Sequence, residues 1–118
     1  MIILYGISNC DTVKKARAWL TAQGADHHFH DFKKSGVPAD ALASWVCAVG
    51  TDKLLNRQGT TWRKLDTTTQ VSVVDDESAM ALLLTQPSLV KRPVVRWAEA
   101  DVTVGFDADD WAQRLNAG

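Results

Sequence analysis

Tyr5-Gly6-Ile7-Ser8-Asn9-Cys10-Asp11-Thr12-Val13-Lys14-Lys15-Ala16 joins the end of a short apolar run, residues 2–5, to a segment with Val13, Ala16 and Leu20 at helical spacing. A strand that ends in a glycine-containing turn and delivers a cysteine to a helix start favours a reactive thiol. The first-turn amides have no partner inside the helix, and the macrodipole is positive there, so the thiolate gains over the thiol. Asp11 and Thr12 are candidates for the N-terminal cap of that helix. Ser8, Asn9 and Asp11 keep the surroundings polar, which sets Cys10 apart from a cysteine that merely packs.

The run Ile2-Ile3-Leu4-Tyr5 is continuously apolar, as in a strand buried on both faces. Gly24 suits the left-handed position that closes the first helix. Residues 27–32 read as a second strand. His28 and His30 share one of its faces, but no cysteine or carboxylate cluster accompanies them, and no metal site is expected. After the basic turn Lys33-Lys34-Ser35-Gly36, Pro38 opens a helix from the first-turn position that proline tolerates. Leu42, Trp45, Val46 and Val49 form its apolar stripe, and Gly50 closes it. Cys47 lies off that stripe and is a candidate resolving thiol for Cys10. A short helix from residue 51 holds Leu54 and Leu55 and ends across 56–59, and Thr60-Thr61 cap another turn with Trp62 and Leu65. Residues 75–86 form a clearer helix. Asp75, Asp76 and Glu77 place negative charge where the macrodipole favours it, Ala79, Leu82 and Leu83 face inward, and Pro87 breaks it. Lys91-Arg92-Pro93 leads into a strand at Val94 and Val95, where the missing proline N–H does no harm. Residues 102–104 form its partner, and 107–115 a last helix with Trp111 and Leu115 inward.

The element order is therefore β, α, β, a helical block, β, β, α. Two early strands joined by a helix imply a right-handed βαβ unit with parallel pairing, and two late strands with a short connection imply an antiparallel hairpin. This is the α/β thioredoxin-like plan (βαβ…ββα) with an inserted helical subdomain. It reads as a single domain over residues 1–118, with a core at about 1–34 and 87–118 and the insertion at about 35–86. The 118 residues suffice for one core without staples. The net charge of −1 gives no general attraction to nucleic acid or to an acidic membrane, so anion recognition has to be local. Two cysteines are no secreted disulfide scaffold, and no apolar run is long enough to span a bilayer. A monomer in the reducing cytoplasm, with neither nucleic acid nor membrane as partner, is the expectation.

From Cys10 to Ala16 the sequence resembles the arsenate reductase/Spx family (ArsC-like), and within it the YffB-type branch. Further segments carry the likeness: Trp19-Leu20, His30-Asp31-Phe32-Lys33-Lys34-Ser35-Gly36, Leu54-Leu55-Asn56-Arg57 with Gly59-Thr60-Thr61-Trp62-Arg63, Pro87 with Lys91-Arg92-Pro93, and Val104-Gly105-Phe106. The resemblance implies a thioredoxin-like fold, a cis peptide at Arg92-Pro93 facing the cysteine, Cys10 as redox nucleophile, and positive charge beside it from Arg92 and Arg57. It also implies glutathione-dependent thiol reduction, with the substrate open. The arsenate-reducing members resemble one another in a His four positions before the cysteine and an Arg four after it, where this chain has Gly6 and Lys14. A further Arg that those enzymes carry after the last strand is replaced in the Val104-Gly105-Phe106 region. Lysine is a point charge without the bidentate fork of arginine, which weakens a tetrahedral-anion site. The Spx-type members commonly carry Cys-x-x-Cys; position 13 is Val, so that switch is absent.

A lone thiol at this motif has to form a mixed disulfide that an outside thiol resolves, and glutathione is the abundant candidate. No bound cofactor is expected; glutathione is the co-substrate and glutaredoxin a further partner. Arg57, Arg63, Lys14 and Arg92 are candidates to pair its carboxylates. The edge backbone before Pro93 is a candidate to hold its cysteinyl amide as an added strand. Asn9, Asp11 and Thr12 support the helix start. The bland alternative for Lys14, with Lys15 and Arg17, is a solvated helix face, and for Trp19, Trp45, Trp62 and Trp111 it is packing. Two classes follow. One is an enzyme, a thiol-disulfide oxidoreductase with arsenate reduction as a variant. The other is a regulatory protein like the Spx-type members that contact RNA polymerase.

Overall fold

The computed structural model describes residues 1–117. The chain divides into two compact units, residues 1–31 with 92–118 and residues 32–91. In the first unit β1 (Ile2–Gly6) is followed by α1 (Asp11–Ala22) and β2 (His27–Asp31). Its second half brings β3 (Val94–Ala98), β4 (Asp101–Val104) and α8 (Ala108–Ala117). The strands form one sheet in the order β2-β1-β3-β4. β1 pairs parallel with β2, Tyr5 opposite His30, and antiparallel with β3, Tyr5 opposite Val94; β3 and β4 are antiparallel. The apolar run at the N-terminus thus becomes an inner strand, and the α1 crossover lets β2 run parallel to it.

Val13, Ala16 and Leu20 are the buried face of α1, three positions that recur within two turns. With Leu4, Val95 and Trp111 they form a fully buried core cluster of this unit. Trp111 lies at its centre, edge-on to Trp97 at 5.0 Å, Phe106 at 4.8 Å and Trp19 at 5.9 Å. Arg114, one turn along α8, pairs with Asp110 at 2.8 Å and with Asp101 of β4, which fixes that helix to the hairpin. Trp111→Ala is expected to cost about 3–5 kcal/mol, a large part of the stability of a domain this size. Urea denaturation reads it; a loss below about 1 kcal/mol, typical of a surface substitution, contradicts this packing. Gly24, at φ +68° after α1, takes the left-handed closure that a β-carbon disfavours.

The second unit is helical: α2 (Phe32–Ser35), α3 (Ala39–Val49), α4 (Thr51–Leu54), α5 (Thr60–Lys64), α6 (Thr67–Val71), α7 (Asp76–Thr85) and a 3-10 turn at Pro87–Leu89. α3 and α4 both pack on α7. Phe32, Leu42, Trp45, Leu54, Leu55, Ala79, Leu83, Leu89 and Val90 are buried, the Phe32 and Trp45 rings 6.2 Å apart. Asp75 caps α7 by accepting from the Ser78 amide at 2.8 Å, and the Ser78 hydroxyl accepts from the Asp75 amide in return.

Several boundaries differ from the sequence reading. Residues 32–34 and 87–91, placed with the core, cluster with the helical unit: Phe32 opens α2 instead of ending β2, and the Leu55 and Val90 backbones bridge. Pro38 is the N-cap of α3 and not its first helical residue, and Gly59, not Thr60, caps α5. α6 was not foreseen. Leu82, Val46 and Val49 are only half-buried.

Candidate active site

β1 ends at Gly6, and the chain reverses through a β-turn in which the Cys10 amide donates to the Ile7 carbonyl at 3.1 Å. Ser8 and Asn9 are its exposed central residues. Cys10 itself is the N-cap of α1, in extended conformation, and its carbonyl accepts the first helical bond from Lys14 at 2.9 Å. Asp11 and Thr12, expected to cap, are instead the first two helical residues, both exposed. The cysteine therefore occupies the position where a side chain meets the unpaired amides of the first turn.

Cys10 is half-buried and carries a free thiol. Burial pushes that thiol up, but three neighbours outweigh it and hold it below the ordinary cysteine value: the Val13 amide, the Arg92 side chain by hydrogen bond and charge, and the Thr12 amide. The thiol does not reach the strict geometry of a neutral side-chain cap; these amides act on the charged sulfur. Arg92 is half-buried and joined by a cis peptide to Pro93, which is buried. Lys14 is exposed and is not among the groups that act on the sulfur. The Val13 amide, the leading stabiliser of the thiolate, was not anticipated from the sequence, where Val13 counted as core and as the absence of a second cysteine. Its signal was present, since position N3 follows directly from placing Cys10 at the N-cap.

The backbone before Pro93 precedes β3, whose first residue is Val94. β3 lies between β1 and β4, so no strand can add along it. The Pro93 carbonyl already accepts from the Gly105 amide at 2.9 Å, and the Lys91 amide donates to the Leu54 carbonyl at 2.7 Å.

Arg57 and Arg63 belong to the 32–91 unit. Asn56 builds the turn that carries Arg57: its Oδ1 accepts from the Gln58 and Gly59 amides at 3.0 and 3.1 Å, and its own amide donates to Leu89 at 2.8 Å. A β-carbon on Gly59 would come within 2.7 Å of the Asn56 side-chain Nδ2, so a side chain there would push on the group that holds the turn. Arg57 lies over the Trp62 ring at 5.5 Å and 3.5 Å from Asp52, a solvated ion pair of small energetic weight. Arg63 is exposed near the end of α5, and Cys47 is an exposed thiol on α3. His30 stacks at a tilt on Tyr5, 5.2 Å between centroids, and the His27 Nδ1 lies 2.9 Å from the Ala25 carbonyl. Among the described residues no three His, Cys, Asp or Glu side chains converge as a metal site would require. No described helix is long and apolar enough to cross a membrane.

A four-stranded mixed sheet, one cysteine at the N-terminus of the first helix, and an arginine before a cis proline on its sulfur define a thioredoxin-like thiol protein. The chain belongs to the ArsC family, whose profile matches residues 5–114. It is similar to a solved protein named YffB, 42% identical, with a TM-score of 0.91 over 98% of this chain and 99% of that one. An arsenate reductase (ArsC) related protein from Brucella melitensis is 45% identical, with a TM-score of 0.73 over 97% of this chain and 93% of that one. The global transcriptional regulator Spx of Streptococcus pyogenes is 27% identical over 112 residues, covering 93% of this chain and 81% of its own.

Proposed function

We propose that the protein is a glutathione-dependent monothiol reductase with Cys10 as its nucleophile. The observation that carries this reading is the Cys10 sulfur itself, held toward the thiolate by the Val13 and Thr12 amides and by Arg92, with Val at position 13 where a dithiol would need a second cysteine. In the first step the thiolate attacks the glutathione sulfur of a glutathione-linked disulfide. A Cys10–glutathione disulfide forms, the original S–S bond breaks, and the substrate leaves as a thiolate that takes a proton from water. In the second step the thiolate of a free glutathione attacks that mixed disulfide, oxidised glutathione departs, and the Cys10 thiolate returns. One substrate disulfide is reduced and two glutathiones end as one disulfide, so electrons balance without a bound cofactor. Arg92 stabilises the sulfur as nucleophile and again as leaving group. Lys14, exposed on the first turn of α1, is a cation for a glutathione carboxylate in this reading.

A glutathionylated peptide offered with glutathione, glutathione reductase and NADPH tests it. NADPH consumption that depends on the protein is the expected outcome; turnover no greater than without protein contradicts the reading. The likeness to the Brucella protein favours arsenate as a second substrate of the same thiol, read by replacing the peptide with arsenate and adding glutaredoxin. The likeness to Spx favours a regulatory reading, for which a stable complex with RNA polymerase in a pull-down is the requirement.

A further inference from the structure

Gly6 ends β1 with no room for a side chain. It is buried, and a β-carbon built on it would lie 2.7 Å from Val13 Cγ2 and 3.3 Å from Cγ1. Its backbone is not in the left-handed region, so space and not conformation demands glycine here. Val13 cannot give way cheaply: it is fully buried among Leu4, Ala16, Leu20, Val95 and Trp111, and a β-branched side chain on a helix has essentially one χ1 rotamer. The same residue places its amide toward the Cys10 sulfur.

We propose that Gly6 is a positioning residue for the Cys10 thiol: the bare β1 end lets Val13 seat against it, and that seat fixes the first turn of α1 whose amides face the sulfur. Positions 6 and 13 are then a coupled pair. Any side chain at 6 displaces Val13, and with it the amide, unless position 13 becomes smaller. The inference rests on Cys10 being the reactive thiol, but its readout needs no glutathione, so its failure is distinguishable from failure of the reductase reading.

The test is the pH dependence of iodoacetamide alkylation at Cys10, followed by peptide mass, in Gly6→Ala, Val13→Ala and the double variant. Gly6→Ala is expected to move the inflection to higher pH and to slow alkylation below it by roughly twofold to tenfold, the scale of one weakened hydrogen bond. The double variant is expected to match Val13→Ala, because the added methyl occupies the space the valine vacated. A merely structural role would lower stability without moving the inflection. The proposal is overturned if folded Gly6→Ala keeps the wild-type inflection, or if the double variant lies as far out as Gly6→Ala. Should Gly6→Ala fail to fold, the comparison of the double variant with Val13→Ala decides: equal inflections support the pairing, and a shifted or unfolded double variant overturns it.

Discussion

Cys10→Ser is expected to remove the low-pH phase of alkylation and all glutathione-linked turnover, a loss of several orders of magnitude because the nucleophile itself is gone. A serine hydroxyl at the N-cap still accepts from first-turn amides and caps helices well, so the fold should survive and the loss is chemical. Labelling at Cys47 continues and is separated by peptide mass, since that thiol is exposed on α3. The substitution also changes how stability depends on pH. The folded thiol lies below the unfolded one, so ionised Cys10 stabilises the fold above the unfolded pKa, and that contribution is lost as pH falls through the folded pKa. Cys10→Ser removes this dependence. Turnover in Cys10→Ser at the wild-type level would remove the cysteine from the chemistry altogether.

The second large effect is expected at Arg92. Its side chain both donates to the Cys10 sulfur and places a positive charge beside it, and both favour the thiolate. Arg92→Ala therefore moves the alkylation inflection to higher pH. At a pH below the wild-type inflection the rate should fall by roughly tenfold, the scale of one charge-assisted hydrogen bond reduced by solvent screening. Arg92→Lys keeps the charge without the planar donors and should fall between the two. An unchanged inflection in Arg92→Ala would leave the helix amides as the only source of the shift.

Much of this arrangement was legible in the residues. The apolar run at 2–5 and the Val13, Ala16, Leu20 spacing announced an inner strand and the helix packed on it. With them came the parallel β1–β2 pair and Cys10 at a helix start. Chemistry local in sequence was readable because strand and helix periods and N-terminal capping are local rules. What was missed depends on space or on short segments. The clash that forbids a side chain at Gly6 exists only once β1 and α1 are folded together, so the glycine read as a turn residue. Glu99-Ala100 carries no Gly or Asn, yet Ala100 takes φ +65° to close the β3–β4 hairpin. α6, five residues of Thr67-Thr68-Thr69-Gln70-Val71, has neither apolar period nor helix propensity. It forms because Asp66 accepts from the Thr69 amide at 2.7 Å and the Gln70 side chain donates to the Trp62 carbonyl at 2.8 Å. The family resemblance supplied Arg92-Pro93, which no periodicity would have placed at the sulfur.

The central claim is a single activated thiol that an outside thiol must resolve. Its most direct test is the intact mass of the protein after incubation with oxidised glutathione, with the modified cysteine located by peptide mapping. One glutathione on Cys10, removed by added glutathione, is the predicted result. An internal Cys10–Cys47 disulfide, or modification at Cys47 with Cys10 untouched, would contradict it.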